Sequence, residues 1–257
     1  MYQKINNINQ AYKNLEINYN NVIEENKKLN DENNRIKNEI KILEEENRLI
    51  KERLSNIESQ INLNKKELTN IKSNSISDSI NSTIMEKKEF EFIYQAIKER
   101  MNKEIKEIKK IYQATKDGGD FETFHKLCDN ISNTLVLYKS AGNRRFGGFT
   151  SQCWNHEKKL NYYDKYCFLF SLDNNKIYYS KDNDFRTSNA PSDGPTFLKK
   201  GTYIINCYGN ALTDKKLKTR EANYIEIFDG DKNALSEDGN FQGVYAKEYE
   251  VFQIIFQ

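Results

Sequence analysis

Between Ile5 and Ile71, two interleaved series of positions, each repeating every seven residues, are almost all apolar or asparagine. One series is Ile5, Tyr12, Tyr19, Asn26, Asn33, Ile40, Asn47, Leu54, Ile61 and Leu68. Three residues further along lies the other: Ile8, Leu15, Val22, Leu29, Ile36, Leu43, Ile50, Ile57, Asn64 and Ile71. This is the spacing of a coiled-coil seam, sustained for about ten heptads. A lone helix has no surface with which to cover such a stripe, so the pattern predicts self-association through residues 1–73. The predicted rod is on the order of 100 Å long at about 1.5 Å per residue. Flanking charges favour parallel strands in register: Glu32 would meet Lys37 of a second copy, Glu46 Lys51, Arg53 Glu58 and Glu67 Lys72, with only Glu39 and Glu44 opposed. Asparagine at Asn26, Asn33 and Asn47 favours a parallel dimer, while the β-branched residues of the second series leave a trimer open.

The periodicity stops in a Ser/Asn-rich stretch, residues 74–83, which reads as a linker. A helical pattern resumes over 84–113, where Phe90, Tyr94, Ile97, Met101, Ile105, Ile108 and Tyr112 recur at three- and four-residue steps. It predicts an amphipathic helix that either extends the coil or docks on the C-terminal region. Residues 114–257 change to β character. TLVLYKS and RRFGGFT flank a turn at Gly142 and Asn143, and YCFLFSL and KIYYS flank DNN. TYIINCY, NYIEIF and YEVFQIIF complete six or seven strands. Several are continuous apolar runs, as in strands covered on both faces. The expected fold class is α+β: a long N-terminal coiled-coil helix, then an antiparallel β-sandwich flanked by short helices. Its expected core includes Leu135, Leu137, Phe146, Trp154, Phe168, Phe170, Ile204, Ile225, Ile227, Val251 and Ile254.

Composition narrows the functional classes. Forty basic residues against 38 acidic give a net charge of +2, which offers no case for nucleic acid as partner. No run of 18 apolar residues occurs and the N-terminus does not read as a leader, so a cytoplasmic protein without a transmembrane segment is expected. Cys128, Cys153, Cys167 and Cys207 are widely spaced without a CxxC pair, as expected of reduced thiols.

Five pieces carry a family resemblance: IYQATKDGGDFETFHKLCDN, then NTLVLYKSAGNRRFGGFTSQCW with Phe146-Gly147-Gly148 and Trp154, then YCFLFSLDNNKIY, then Gly194-Pro195-Thr196-Phe197, and finally EYEVFQI. In order and spacing they resemble, from Ile111 to Phe256, the TLDc domain of eukaryotic oxidation-resistance proteins and some Rab-GAP-like proteins. The resemblance implies a β-sandwich flanked by helices, a role in oxidative-stress protection, and association with the vacuolar proton ATPase or another cytosolic complex. One departure comes after the GP-x-F segment, where the family often has a Gly-rich run with an acidic residue and this chain reads Leu198-Lys199-Lys200-Gly201-Thr202.

No phosphate-binding loop, dinucleotide fingerprint, zinc-protease motif or nucleophile elbow occurs. The histidines are His125 and His156. No catalytic, cofactor-binding or metal residue is assigned on this reading, and the first functional class is a non-catalytic oligomeric interaction module. The alternative is a thiol-dependent enzyme, a peroxide scavenger or hydrolase, with Cys153 as nucleophile beside Arg144 and Arg145 and His156 as its base. Asp229 to Asn240 approaches a calcium loop, but has Ala234 where the turn wants glycine and Asn240 where a bidentate carboxylate is needed. Gly147 and Gly148 read as a bulge or a close backbone approach, with a ligand contact as the alternative.

Overall fold

The computed structural model describes residues 1–78, 80–155, 163–188, 190–224, 226–237 and 242–257, with residues 69, 70, 72–75, 77, 78 and 222 described by backbone alone. The chain divides into two units, Met1–Leu68 and Thr69–Gln257.

In the first unit the chain is helical from Tyr2 onward, within α1 (Tyr2–Asp78). Arg48 bridges Glu45 and Glu52, both at 2.7 Å, on the helix surface. Such exposed pairs stabilise by a few tenths of a kcal/mol, about 0.3–0.5 each. Both heptad series face solvent: Leu15 is 67% exposed, Leu43 56% and Ile57 54%.

The second unit is built from α2 (Phe90–Met101), β1 (Ile105–Gln113), α3 (Ala114–Asp117), α4 (Phe121–Cys128), β2 (Thr134–Ser140), β3 (Arg145–Thr150), β4 (Phe168–Ser171), β5 (Lys176–Tyr178), β6 (Phe185–Thr187), β7 (Phe197–Lys199), β8 (Thr202–Cys207), β9 (Leu217–Thr219) and β10 (Ala246–Phe256). Every strand pair is antiparallel. One sheet has the order β1-β10-β2-β3-β4-β5 and the other β6-β7-β8-β9. Strand alternation sends side chains to two cores. Val136, Tyr138, Phe146, Leu169, Tyr249 and Val251 meet Trp154, Phe197, Ile204 and Ile205 between the sheets. Leu135, Leu137, Phe149, Phe168, Phe170, Phe252 and Ile254 meet Phe90, Ile93, Tyr94 and Ile97 of α2 on the other face. The α+β class therefore holds, and the expected core residues are buried. Ile225 lies outside the described residues.

The central strand β3 explains its two glycines. A Cβ on Gly147 would lie 2.0 Å from the Val136 carbonyl and 2.4 Å from the Phe170 ring; on Gly148 it would lie 2.6 Å from the Phe197 ring. Both faces of the strand are covered by aromatic rings that leave no room for a side chain.

Four expectations need correction. The helix expected over 84–113 is a short helix followed by an edge strand. Asn102 ends α2 in the left-handed region, and β1 comes next. Two register shifts along β1, at Ile105/Glu107 and Lys110/Tyr112, let Ile105, Ile108 and Tyr112 all be buried. Bulged strands thus reproduced the three- and four-residue spacing of a helix. The linker expected over 74–83 is part of the folded unit: α1 continues to Asp78, Ile76 packs on the second core, and Ile80, Ile84 and Met85 are buried in it. Isoleucine at every fourth residue drives this, hidden among polar neighbours. The folded unit consequently begins well before residue 114. In place of the strand expected at NYIEIF, Asn223 ends a 3-10 segment (Glu221–Asn223), residues 226–228 lie in a turn, and Ile227 N–H donates to Tyr224 O at 2.9 Å. Consecutive Ile227 and Phe228 both enter the core, whereas in a strand they would point to opposite faces.

Asn143 (φ 67°) closes the β2–β3 hairpin and Asn175 (φ 49°) the β4–β5 hairpin. Lys200 (φ 49°) and Gly201 (φ 82°) form a two-residue turn between β7 and β8.

Candidate functional site

Cys153 follows β3 in a segment pinned on both sides. Asp164 accepts from Thr150 Oγ1 (2.8 Å), Ser151 N (2.6 Å) and Ser151 Oγ (2.8 Å), and Trp154 Nε1 donates to Thr134 Oγ1 at 2.9 Å. The Trp154 ring meets Phe124 and Phe197 edge to face. Cys153 is partly exposed, whereas Cys128, Cys167 and Cys207 are buried and their thiols are pushed well up by that burial. A buried neutral thiol is a poor nucleophile.

Among the described residues, Arg144 and Arg145 are not brought to Cys153. Arg144 and Arg145 stand at the opposite end of β3, whose five-residue rise alone separates them by roughly 17 Å. Arg145 is held bidentate by Glu89 at 2.8 Å and by Asp173 at 3.0 Å, and Arg144 donates to the Asn233 carbonyl at 2.7 Å. His156, the expected base, lies outside the described residues. His125 is buried in α4, with Nδ1 2.8 Å from Asp129 Oδ1.

The described carboxylates of the acidic loop, Asp229, Asp231 and Glu237, each turn to a different partner. Asp229 pairs with Lys176 at 3.0 Å, Asp231 accepts from Asn233 N at 2.8 Å, and Glu237 accepts from Ser140 Oγ and Gly142 N. Residues 238–240 lie outside the described residues. Among the described residues no group of three or more metal-ligating side chains occurs.

Sequence reasoning missed a set of buried carboxylates that clamp loops. Glu250 is fully buried and accepts from Ser82 Oγ (2.5 Å), Thr83 N (3.0 Å), Thr83 Oγ1 (3.1 Å) and Lys110 Nζ (2.7 Å). Ser82 Oγ in turn accepts from Ile84 N and Met85 N at 3.1 and 3.0 Å. The 80–86 segment is thereby strapped onto the sheet, beside an open cleft of about 370 Å³ lined by Ser82, Thr83, Lys139, Asn143 and Arg145. Glu221 Oε1 accepts from Leu235 N (2.8 Å) and Ser236 N (2.9 Å), and burial raises its carboxyl above the usual range. Asp120, as cap of α4, accepts from Thr123 N at 2.8 Å, which holds its carboxyl low. The only sequence signal for these roles was the isolated acid within an apolar strand, as in EYEVFQI.

The geometry therefore presents no convergent catalytic group among the described residues, but a β-sandwich whose loops are clamped into fixed shape. A model of the TLDc domain family matches residues 79–255, and the chain belongs to that family. The matched start at residue 79 agrees with the strap being part of the fold. No curated protein matches the chain. Among the described residues no helix is long and apolar enough to cross a membrane.

Proposed function

We propose that this protein is a non-catalytic interaction module in which a parallel coiled coil, a dimer in preference to a trimer, joins copies of a TLDc domain. The observation carrying this reading is the exposure of both heptad series along α1: more than a dozen large apolar side chains, Ile8, Leu29, Ile50 and Ile61 among them, face water. Apolar surface so extensive and so regularly spaced marks an interface. Paired domains bind a multivalent target more tightly than one domain does, by about 10²–10⁴ where the spacing matches. Family membership supports a cytoplasmic role in oxidative-stress protection, with the vacuolar proton ATPase or another cytosolic complex as partner. Deleting residues 1–68 tests this: apparent affinity for an immobilised target complex should fall while the melting transition of the β unit persists. An unchanged affinity would remove valency from the account.

A second reading rests on Cys153 being the one cysteine that is not buried. In it the chain is a thiol-dependent peroxide scavenger or hydrolase using Cys153 and His156. Cys153→Ser combined with His156→Ala should leave protection of cells intact under the first reading and abolish it under the second.

A further inference from the structure

Lysines over much of the folded unit face carboxylates. Lys98 Nζ is 2.9 Å from Glu104, Lys110 2.7 Å from Glu250, Lys176 3.0 Å from Asp229 and Lys200 3.2 Å from Asp182. One surface departs from this. The chain leaves β8 for Tyr208, returns through Lys215 and Lys216, and carries Lys218 at the middle of β9. Leu217 and Val244 exchange hydrogen bonds of 3.2 and 2.8 Å, which brings Tyr245 alongside.

On this surface the ammonium groups sit over aromatic rings. Lys215 Nζ is 5.9 Å from the Tyr245 ring centre, and Lys216 and Lys218 are 4.7 and 5.4 Å from that of Tyr208. Among the described residues neither Lys215 nor Lys216 is paired with a carboxylate. Two positive-φ glycines give the lysine segments room. A Cβ on Gly209 (φ 59°) would touch the Lys216 stem at 3.5 Å, and one on Gly243 (φ 94°) would strike the Lys215 carbonyl at 2.5 Å.

We propose that Lys215 and Lys216, framed by Tyr208 and Tyr245, form a docking surface for an acidic segment of a partner protein. Ammonium groups steadied over tyrosine rings retain their charge and lose less freedom when a carboxylate arrives. Because those cations already occupy the Tyr208 and Tyr245 rings, base stacking is disfavoured. Exposed large apolar side chains of the folded unit are limited, among the described residues, to Ile71, Leu127, Tyr163, Tyr179 and Tyr245, and of these only Tyr245 borders the patch, so the patch offers no aliphatic wedge for a membrane. A run of Glu and Asp is the complementary surface that remains.

This assignment rests on the binding reading above, and the test separates the two. The full-length protein is titrated into a short fluorescein-labelled polyglutamate peptide and anisotropy is followed. Affinity should fall with rising salt. Lys215→Glu with Lys216→Glu should weaken it about tenfold. Lys106→Glu with Lys109→Glu on the exposed side of β1 makes the same change in net charge and should alter affinity by less than about twofold. Melting curves verify that both variants fold. Absence of binding, or equal loss in the two variants, overturns the surface. So does a Lys215/Lys216 dependence seen only with phosphatidylserine vesicles or single-stranded DNA. If the surface fails while the protein remains self-associated and free of Cys153-dependent turnover, the non-catalytic reading stands; turnover lost in Cys153→Ser overturns that reading independently of the patch.

Discussion

The two units of this chain handle apolar side chains in opposite ways. In Met1–Leu68 the apolar residues are regularly spaced and exposed; in Thr69–Gln257 they are irregularly spaced and buried. A seven-residue repeat is the pattern of a helix packed on another helix, and under the proposed function the second helix is that of another copy. The β unit is complete within one chain: its sheets and α2 cover one another, and buried carboxylates hold its loops. Stability of the first unit should thus depend on protein concentration, and that of the second should not.

The largest effect is expected in the core of the β unit. Phe168→Ala removes a ring packed on Phe149 and Phe170 and should cost about 3–5 kcal/mol. Chemical denaturation would then show the β transition lost or greatly shifted, with the helical signal of α1 retained. An unchanged midpoint would place the ring outside the core. Next comes Glu250→Ala, which strands Lys110 and frees the strap, at a cost of about 3 kcal/mol. Hydrogen exchange at the Thr83, Ile84 and Met85 amides should accelerate well before exchange in β2 and β3, and uniform acceleration would contradict a local clamp.

A smaller effect of opposite sign is expected in the helix. Replacing Asn26, Asn33 and Asn47 by isoleucine should raise the melting temperature of α1 while broadening the distribution of oligomers, because polar seam positions trade stability for choice of state. A triple variant no more heat-resistant than its parent would mean those positions are not buried in the assembly.

The smallest effect concerns pH. Burial raises the Glu221 carboxyl, so its contribution to stability is complete below the ordinary glutamate range and is lost as pH rises through the raised value. Asp120 is held low by Thr123 N–H, so its contribution is present above the ordinary aspartate range and is lost as pH falls through the depressed value. Glu221→Gln keeps an acceptor for Leu235 and Ser236 and removes the buried charge. It should match or exceed the parent in melting temperature at pH 7, with the difference shrinking toward pH 4.5. A difference that grows toward acid would contradict this sign.

How much could be read from the sequence tracks the same division. The heptads of α1, the hairpins at Asn143 and Asn175, and the glycines fitted beneath Phe170 and Phe197 were legible because each obeys a local rule. β1 was misread because its two bulges gave Ile105, Ile108 and Tyr112 a helical spacing. The strap was misread because Ile76, Ile80 and Ile84 lie among serines and asparagines, and its anchor, Glu250, is 167 residues from Thr83. Clamps such as Glu250, Glu221 and Asp164 are long-range contacts, invisible to any window of sequence. The expected neighbourhood of Arg145 and Cys153 was misread for a related reason: an extended strand carries Arg145 away from Cys153 and toward Glu89 and Asp173.

The central claim is that α1 is one half of an interface whose other half is a second copy of the chain. Sedimentation equilibrium of the full-length protein tests it most directly. The expected result is a species of two, or three, times the 30.3 kDa chain at micromolar concentration, reduced to one chain by Leu29→Lys, Ile36→Lys and Leu43→Lys together with the β transition unchanged. A parent protein sedimenting as a single chain, or a triple lysine variant still assembled, would contradict it.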